Sequence, residues 1–314
     1  VGERAALIAA FLAGAGWAGA ERRPLAGDAS TRRYERLVGR DGRSAILVDS
    51  AAEPIERWLR VRDWLAERGV RVPALFAADP VARLALLEDL GDRHLDEAAT
   101  SPARESLLYG RALDLLLAFQ CAAPAFLPPL DPPTLLDQLE LFLEQVTPHL
   151  GPNAAAEFRE AWQVVLPSAC VGPQVFVHRD FHCRNLMVLE DDRLAVIDFQ
   201  DAFAGPCLYD FVSLVQDVRR DVSPGLARDL AAGLRAACPE LDEASFERAT
   251  AILGAQRAMR ILAVFTRLAH SGGKPGYRAF LPRVERRLAQ NLAHPALAPV
   301  ADWWARWRSG PVGG

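Results

Sequence analysis

Four side chains within residues 175–202 (VFVHRDFHCRNLMVLEDDRLAVIDFQDA) are of the types and spacing that could do chemistry: His178, Asp180, Asn185 and Asp198. Asp180 can accept the proton of a hydroxyl group. Asn185 and Asp198 offer hard oxygen ligands of the kind that hold Mg2+ against phosphates. In this order and spacing the set fits phosphoryl transfer from a metal-bound triphosphate, so ATP and Mg2+ are the cofactors expected. Taken singly, Asp and Asn in loops are turn formers whose side chains bond the local backbone. Jointly, with apolar runs on both sides, they point to one site. His178 and His182 stand four apart with Cys183 adjacent, which admits a zinc reading. Such a pair needs a helix to bring both rings to one face, whereas the flanking runs here are short and β-branched. His178 is therefore expected to orient the loop around Asp180, and His182 to pack or to touch phosphate.

Three short strands must carry these groups. Residues 175–177 feed the polar loop, 186–189 leave it, and 194–197 follow the acidic turn Glu190-Asp191-Asp192 and deliver Asp198. The expectation is that the carboxylates converge on one edge of a small sheet. Upstream, Leu7, Phe11 and Leu12 fall at helical spacing in an N-terminal helix closed by Gly14 and Gly16. Strands follow at 22–25, 33–38 and 45–48, with an Asp41-Gly42 turn between the last two. A helix over 55–68 has Ile55, Leu59, Trp64 and Leu65 for its inner face, and strands at 75–77 and 84–87 complete a five-stranded sheet. After a break at 88–91 the chain reads as mainly helical. Apolar residues recur at i, i+3 and i+4 over 107–119, 135–146 and 154–165, and helices resume from 210. The expected class is α+β, with a small β-rich lobe over residues 1–90 and a larger helical lobe over 91–314.

The chain has 314 residues, half of them apolar, enough for a large core in one or two domains. A net charge of −4 calls for no nucleic-acid partner. Five scattered cysteines without a Cys-x-x-Cys pair fit reduced thiols and a cytoplasmic location. Residues 5–20 end in Ala-Gly-Ala, like a signal-peptide cleavage site, but Glu3 cancels Arg4 and leaves no basic n-region. No apolar run reaches the length that spans a bilayer, so no membrane partner is expected.

HRDFHCRN and IDFQDA resemble the catalytic loop and the metal-binding segment of the protein-kinase-like superfamily, in the branch of aminoglycoside and choline phosphotransferases. GDASTRRYERL (27–37), LLEDLGD (86–92) and FTRLAHSGGKPGY (265–277) are most similar to one subgroup of that branch. These are the bacterial anomeric kinases of cell-wall sugar recycling, which act on the C1 hydroxyl of N-acetylmuramate and N-acetylglucosamine. The resemblance covers nearly the whole chain. It implies a two-lobe kinase-like fold, Asp180 as catalytic base, and Asn185 and Asp198 as magnesium ligands. It further implies that the backbone around Glu88 and Leu90, at a hinge between the lobes, bonds adenine. Gly27, Asp28, Ala29, Ser30 and Thr31 would then cover the ATP phosphates. A downstream sugar-1-phosphate nucleotidyltransferase is the implied partner.

One departure stands out. The strand that carries a phosphate-pairing lysine in protein kinases reads SAILVDS here, and the only lysine of the chain is Lys274. Arg32 or Arg33 can supply the missing charge, or be a solvated strand face. A catalytically silent nucleotide-binding pseudokinase is the alternative this raises.

The acceptor is read from charge. Residues 251–290 hold Arg257, Arg260, Arg267, Lys274, Arg278, Arg283, Arg286 and Arg287 against a single acid, Glu285. Such a surface disfavours a cationic antibiotic or choline and favours a sugar bearing a carboxylate. An aminoglycoside or other small-alcohol kinase remains the other enzyme reading. Arg257 is the arginine expected to reach substrate, and Asp201 can bond a substrate hydroxyl or form a turn. Asp210, just before an apolar run, reads as a helix N-cap. Trp303, Trp304 and Trp307 share a helix face and are expected to anchor the C-terminal helix.

Overall fold

The structure is a computed structural model that describes residues 2–25, 32–120 and 122–307. In chain order it begins with α1 (Gly2–Gly14), β1 (Glu21–Pro24), β2 (Arg33–Val38), β3 (Ser44–Asp49), α2 (Glu56–Glu67), β4 (Leu75–Asp79), β5 (Leu84–Glu88) and α3 (Leu95–Ala98). It continues through α4 (Pro102–Phe119), α5 (Pro132–Asp137), α6 (Glu140–Gln145), α7 (Pro152–Val165) and β6 (Gln174–Val177). Then follow β7 (Leu186–Val188), β8 (Leu194–Val196), β9 (Phe203–Pro206), α8 (Tyr209–Val215) and α9 (Pro224–Ala237). Helices α10 (Glu243–His270), α11 (Leu281–Leu292) and α12 (Ala298–Trp307) end the described chain. This is the α+β organisation expected, with a five-stranded sheet early and helices late.

Two compact units result: Val1–Ala98 with Asn185–Gln200, and Ala99–Arg184 with Asp201–Gly314. The expected division after residue 90 lies eight residues earlier and left Asn185–Gln200 with the helices. Hydrogen bonds explain the difference. The β7–β8 hairpin is bonded to the sheet-bearing unit, Val188 N–H to the Arg93 carbonyl (2.8 Å) and Val196 N–H to the Arg71 carbonyl (2.8 Å).

In the first unit the sheet is antiparallel throughout, in the order β1-β2-β3-β5-β4. One face packs on α1, where Ile8 and Leu12, with Trp17 after the helix, close over Leu37, Ala45, Leu47, Leu84 and Leu86. Leu7, expected on that inner stripe, is instead exposed, because the stripe runs through Ile8 and Leu12. Arg4 fastens the helix to the sheet through its ion pair with Asp49 (2.5 Å) and a bond to the Ala82 carbonyl (2.6 Å). Helix α2 buries Trp58, Val61, Trp64 and Leu65, and Trp58 stacks on Phe199 at 5.4 Å.

The second unit is built on α10, buried from Ala251 to Ala263. The helix expected over 135–146 is two helices, α5 and α6. Gln256 of α10 donates to the Leu135 carbonyl (2.9 Å), and Leu139 N–H bonds one residue nearer, to Leu136 (2.8 Å). That tighter turn interrupts the α-helical ladder. Trp303 lies against Phe158 (4.6 Å) and donates to the Ala154 carbonyl (2.8 Å), so α12 is anchored by its tryptophans as expected.

Residues 175–202 do not form one small sheet. Strand β6 pairs with β9, and β7 pairs with β8, in two separate antiparallel ladders. The polar loop therefore joins two ladders, where the sequence suggested a single edge.

Leu47 is fully buried at the centre of the α1 face. Leu47→Ala is expected to destabilise the first unit by about 2–5 kcal/mol, read as a lowered urea midpoint by circular dichroism.

Candidate active site

In the second unit, residues 178–183 form a loop held at both ends by buried carboxylates. Asp210 accepts the N–H groups of His178 (2.5 Å) and Arg179 (2.9 Å). Asp217 accepts those of Cys183 (3.0 Å) and Arg219 (2.8 Å). Ser213 Oγ, one turn along α8, donates to the Arg179 carbonyl (3.3 Å). These bonds sustain Arg179 at φ +80°, a left-handed conformation that is strained for a residue with a Cβ. Asp210 is thus no N-cap: the residue at the start of α8 is Leu208, without a side-chain cap bond. Its carboxylate is turned to the loop, where two N–H groups reward it more than a helix end would.

Asp180, half-buried at the bend of the loop, forms an ion pair with Arg260 of α10 (2.9 Å). Burial alone would raise its pKa, but Arg260, then Arg179, His182 and Arg257, hold it well below the ordinary carboxylate range. Burial pushes Asp210 up to about 7 despite its two N–H donors. Burial, with the positive charge of Arg219, pushes His182 down to about 3, so its ring is neutral at physiological pH. Asp217 stays low: burial raises it, while His182, Cys183 and Arg219 outweigh that. His178 is buried too, its ring edge-on to Phe181 at 5.9 Å. Asp201 is exposed, 4.0 Å from Arg179. Arg257 is 3 % exposed beside Arg260 on the same helix face.

The first unit holds the other groups. Asn185 and Asp198 flank the β7–β8 hairpin, and Ile197 N–H bonds the Asn185 carbonyl (3.1 Å), which fixes one beside the other. Asp198 is exposed, sits at φ +64°, and accepts a bond from Gln200 (2.7 Å) on one carboxylate oxygen. Among the described residues no group of three or more His, Cys, Asp and Glu side chains is placed to hold a metal. One carboxylate and one amide oxygen fit Mg2+, which takes few protein ligands and completes its octahedron with water and phosphate oxygens.

The sheet register places the remaining residues. Tyr34 pairs with Val48 and Arg36 with Ile46, so Arg36, Tyr34 and, by alternation, Arg32 lie opposite the α1 face. Arg32 is buried and ion-paired with Glu53 (3.0 Å). The Tyr34 hydroxyl is raised to about 12, first by burial, next by the negative charge of Asp198, and is drawn back by Arg32. Arg33 is exposed, on the side of Leu37. Of the two arginines weighed for the absent lysine, only Arg32 is buried on the Tyr34 face. Arg36 grips residues 89–92 through Asp92 (2.7 Å) and Asp89 (2.7 Å). The Glu88 carboxylate is occupied by Arg71 (2.5 Å) and Ala74 N–H (3.0 Å), while the main-chain N–H and C=O of Leu90 have no bond among the described residues. Gly27, Asp28, Ala29, Ser30 and Thr31 lie outside the described residues.

Residues 21–246 match the phosphotransferase enzyme family. The chain belongs to that family. It is 35% identical to an N-acetylmuramate/N-acetylglucosamine kinase from Caulobacter vibrioides, over 97% of both chains. It is 36% identical to a protein of the same name from Pseudomonas aeruginosa, over 90% of this chain and 87% of the other. Among solved structures it is similar to a choline/ethanolamine kinase family protein from Mesorhizobium loti (TM-score 0.63, 18% identity, 95% of this chain and 99% of the other). It is likewise similar to an aminoglycoside phosphotransferase in complex with ADP and hygromycin B (TM-score 0.62, 13% identity, 91% and 99%). These two likenesses carry the fold, a protein-kinase-like one.

Sequence reasoning missed Asp217, Arg260 and Arg36. A signal existed for the first: Asp210 and Asp217 are seven apart around the apolar run 211–215, where an acid needs a buried partner. Arg260 and Arg36 meet partners 80 and about 55 residues away in the chain, so no local pattern marks them.

Asp210 and His182 should act oppositely on stability. Between about pH 4 and 7 the fold keeps a proton on Asp210 that the unfolded chain has lost, so its contribution falls as pH rises. Between about pH 3 and 6.5 the unfolded chain carries a proton on His182 that the fold excludes, so that contribution grows. Asp210→Asn should therefore steepen the rise of the denaturation midpoint with pH relative to wild type, and His182→Gln should flatten or reverse it. Parallel profiles for all three proteins would show that neither group titrates in this way.

Proposed function

We propose that this phosphotransferase is an ATP-dependent kinase for the anomeric C1 hydroxyl of N-acetylmuramate or N-acetylglucosamine. The observation that carries this is Asp180: an ionised carboxylate beside Arg260, on a loop pinned by two buried aspartates. The chain around it shares about a third of its residues, over most of its length, with relatives named as kinases of these sugars.

Asp180 is the group that meets the acceptor hydroxyl. A carboxylate held so low is a poor base for a neutral alcohol, so its first task is to orient the hydroxyl by accepting its hydrogen bond. Phosphoryl transfer has a loose transition state with little bond formation to the nucleophile. The proton thus moves to Asp180 late, once the attacking oxygen has become acidic. The sugar oxygen gains a bond to the γ-phosphorus, the bond to the β-phosphate oxygen breaks, and ADP leaves. Asn185 and Asp198 would hold Mg2+, which supplies charge neutralisation on the phosphates when bound. The free main-chain groups of Leu90, with the Glu88 carbonyl beside them, suit adenine. His178 positions the loop from within, and Asp201 is placed to bond a sugar hydroxyl.

Arg32 takes the part of the absent strand lysine. It pairs with Glu53 and neighbours Tyr34, on the face where Val48 stands as an apolar residue. This supports an active enzyme over a silent nucleotide-binding one. The arginines beside Asp180 disfavour a polycationic antibiotic as acceptor. The product, a sugar 1-phosphate, suits a nucleotidyltransferase as the next step, and the cytoplasm is where ATP is supplied.

Asp180→Asn should lower kcat by about 10²–10⁴ with ATP binding retained. In an ATP-consumption assay, both free sugars should be turned over and 1-O-methyl N-acetylglucosamine should not. Turnover of kanamycin or choline instead would overturn the acceptor assignment. Arg32→Ala should lower kcat/KM for ATP by about tenfold or more, with part recovered in Arg32→Lys; equal kcat/KM in all three proteins would remove Arg32 from the nucleotide site.

A further inference from the structure

The second unit buries a guanidinium that has no hydrogen-bond partner among the described residues. Arg257 is 3 % exposed, and among the described residues it makes no hydrogen bond or ion pair. Asp180 and Asp217 act on it through space, but a buried charge whose donors are left without hydrogen bonds is still costly to keep. The carboxylates around it are all engaged elsewhere. Asp180 is paired with Arg260, Asp210 accepts His178 and Arg179 N–H, and Asp217 accepts Cys183 and Arg219 N–H. Arg257 and Arg260 lie three residues apart on one face of α10, so Arg257 stands beside the group that meets the acceptor. The Arg260 Nε nearby is likewise buried without a hydrogen-bond partner. The buried guanidinium nitrogens of Arg257 and Arg260 left without a hydrogen bond are donors, which calls for an anion.

We propose that Arg257 is the receptor for a carboxylate carried by the acceptor sugar, bound through two parallel hydrogen bonds next to Asp180. This rests on the kinase reading above and deepens it. The two sugars in the names of the relatives differ in one charged group, the lactyl carboxylate of N-acetylmuramate, so Arg257 would be the residue that tells them apart. The guanidinium fork suits a planar carboxylate better than a lysine ammonium does.

The experiment is isothermal titration calorimetry without ATP, so that binding is read apart from turnover. N-acetylmuramate, its methyl ester and N-acetylglucosamine are titrated into wild type, Arg257→Gln and Arg257→Lys. Wild type should bind the acid more tightly than the ester. That preference should fall by about 10–100-fold in Arg257→Gln and be partly recovered in Arg257→Lys. Equal affinity of wild type for acid and ester overturns the proposal without need of any variant. So does an equal loss on acid, ester and N-acetylglucosamine, which would place Arg257 as a support of the Asp180 loop or a contact of the transferred phosphoryl group. Arginine-dependent binding of the acid in an enzyme that transfers no phosphoryl group would sink the kinase reading and leave the carboxylate site standing.

Discussion

A charge moved out of water must find its counterpart inside the protein, and the second unit is arranged around that requirement. Its interior holds Asp210, Asp217, Arg257, Arg260 and His182, with Asp180 at the margin. The solutions differ from group to group. Asp217 stays low against its burial through His182 beside it and the main-chain N–H groups of Cys183 and Arg219. Asp210 holds two N–H groups as well but sits so deep that its proton is retained near neutrality. Asp180 is kept ionised by its ion pair with Arg260 at the bend of the loop.

The same carboxylates explain the backbone. Arg179 and Asp198 adopt positive φ, in different units, each next to or at a residue assigned to the reaction. Neither is glycine, so each conformation costs energy that the neighbouring bonds must offset. For Arg179 these bonds come from Asp210 and Ser213; for Asp198 a side-chain bond from Gln200 is in place. The left-handed turns aim Asp180 and Asp198 away from the directions a regular strand end would give them.

Much of this was legible in the chain. Asp180, Asn185 and Asp198 lie within one short stretch, and local spacing was enough to propose them as one set. The five strands and α2 follow from alternation and turn residues, for which short-range order suffices. What escaped was set by distance in sequence. Asp210 looked like a helix cap because the N–H groups it serves lie about 31 residues earlier. Arg260 was one of many arginines until α10 brought it to Asp180. Choosing Arg32 over Arg33 needed the register of β2 against β3, since one residue decides the face. The break between α5 and α6 depends on Gln256, a residue no local window includes.

The return of Asn185–Gln200 to the sheet-bearing unit has a consequence for inheritance. The chain passes between the units at 98–99, 184–185 and 200–201, so neither unit is a contiguous stretch of gene. A single crossover after residue 98 would exchange the sheet and leave behind the hairpin that carries Asn185 and Asp198. A clean exchange of one unit for another by a single crossover is thereby closed to this chain. Substitution in place, residue by residue, on helices such as α10 leaves both units whole.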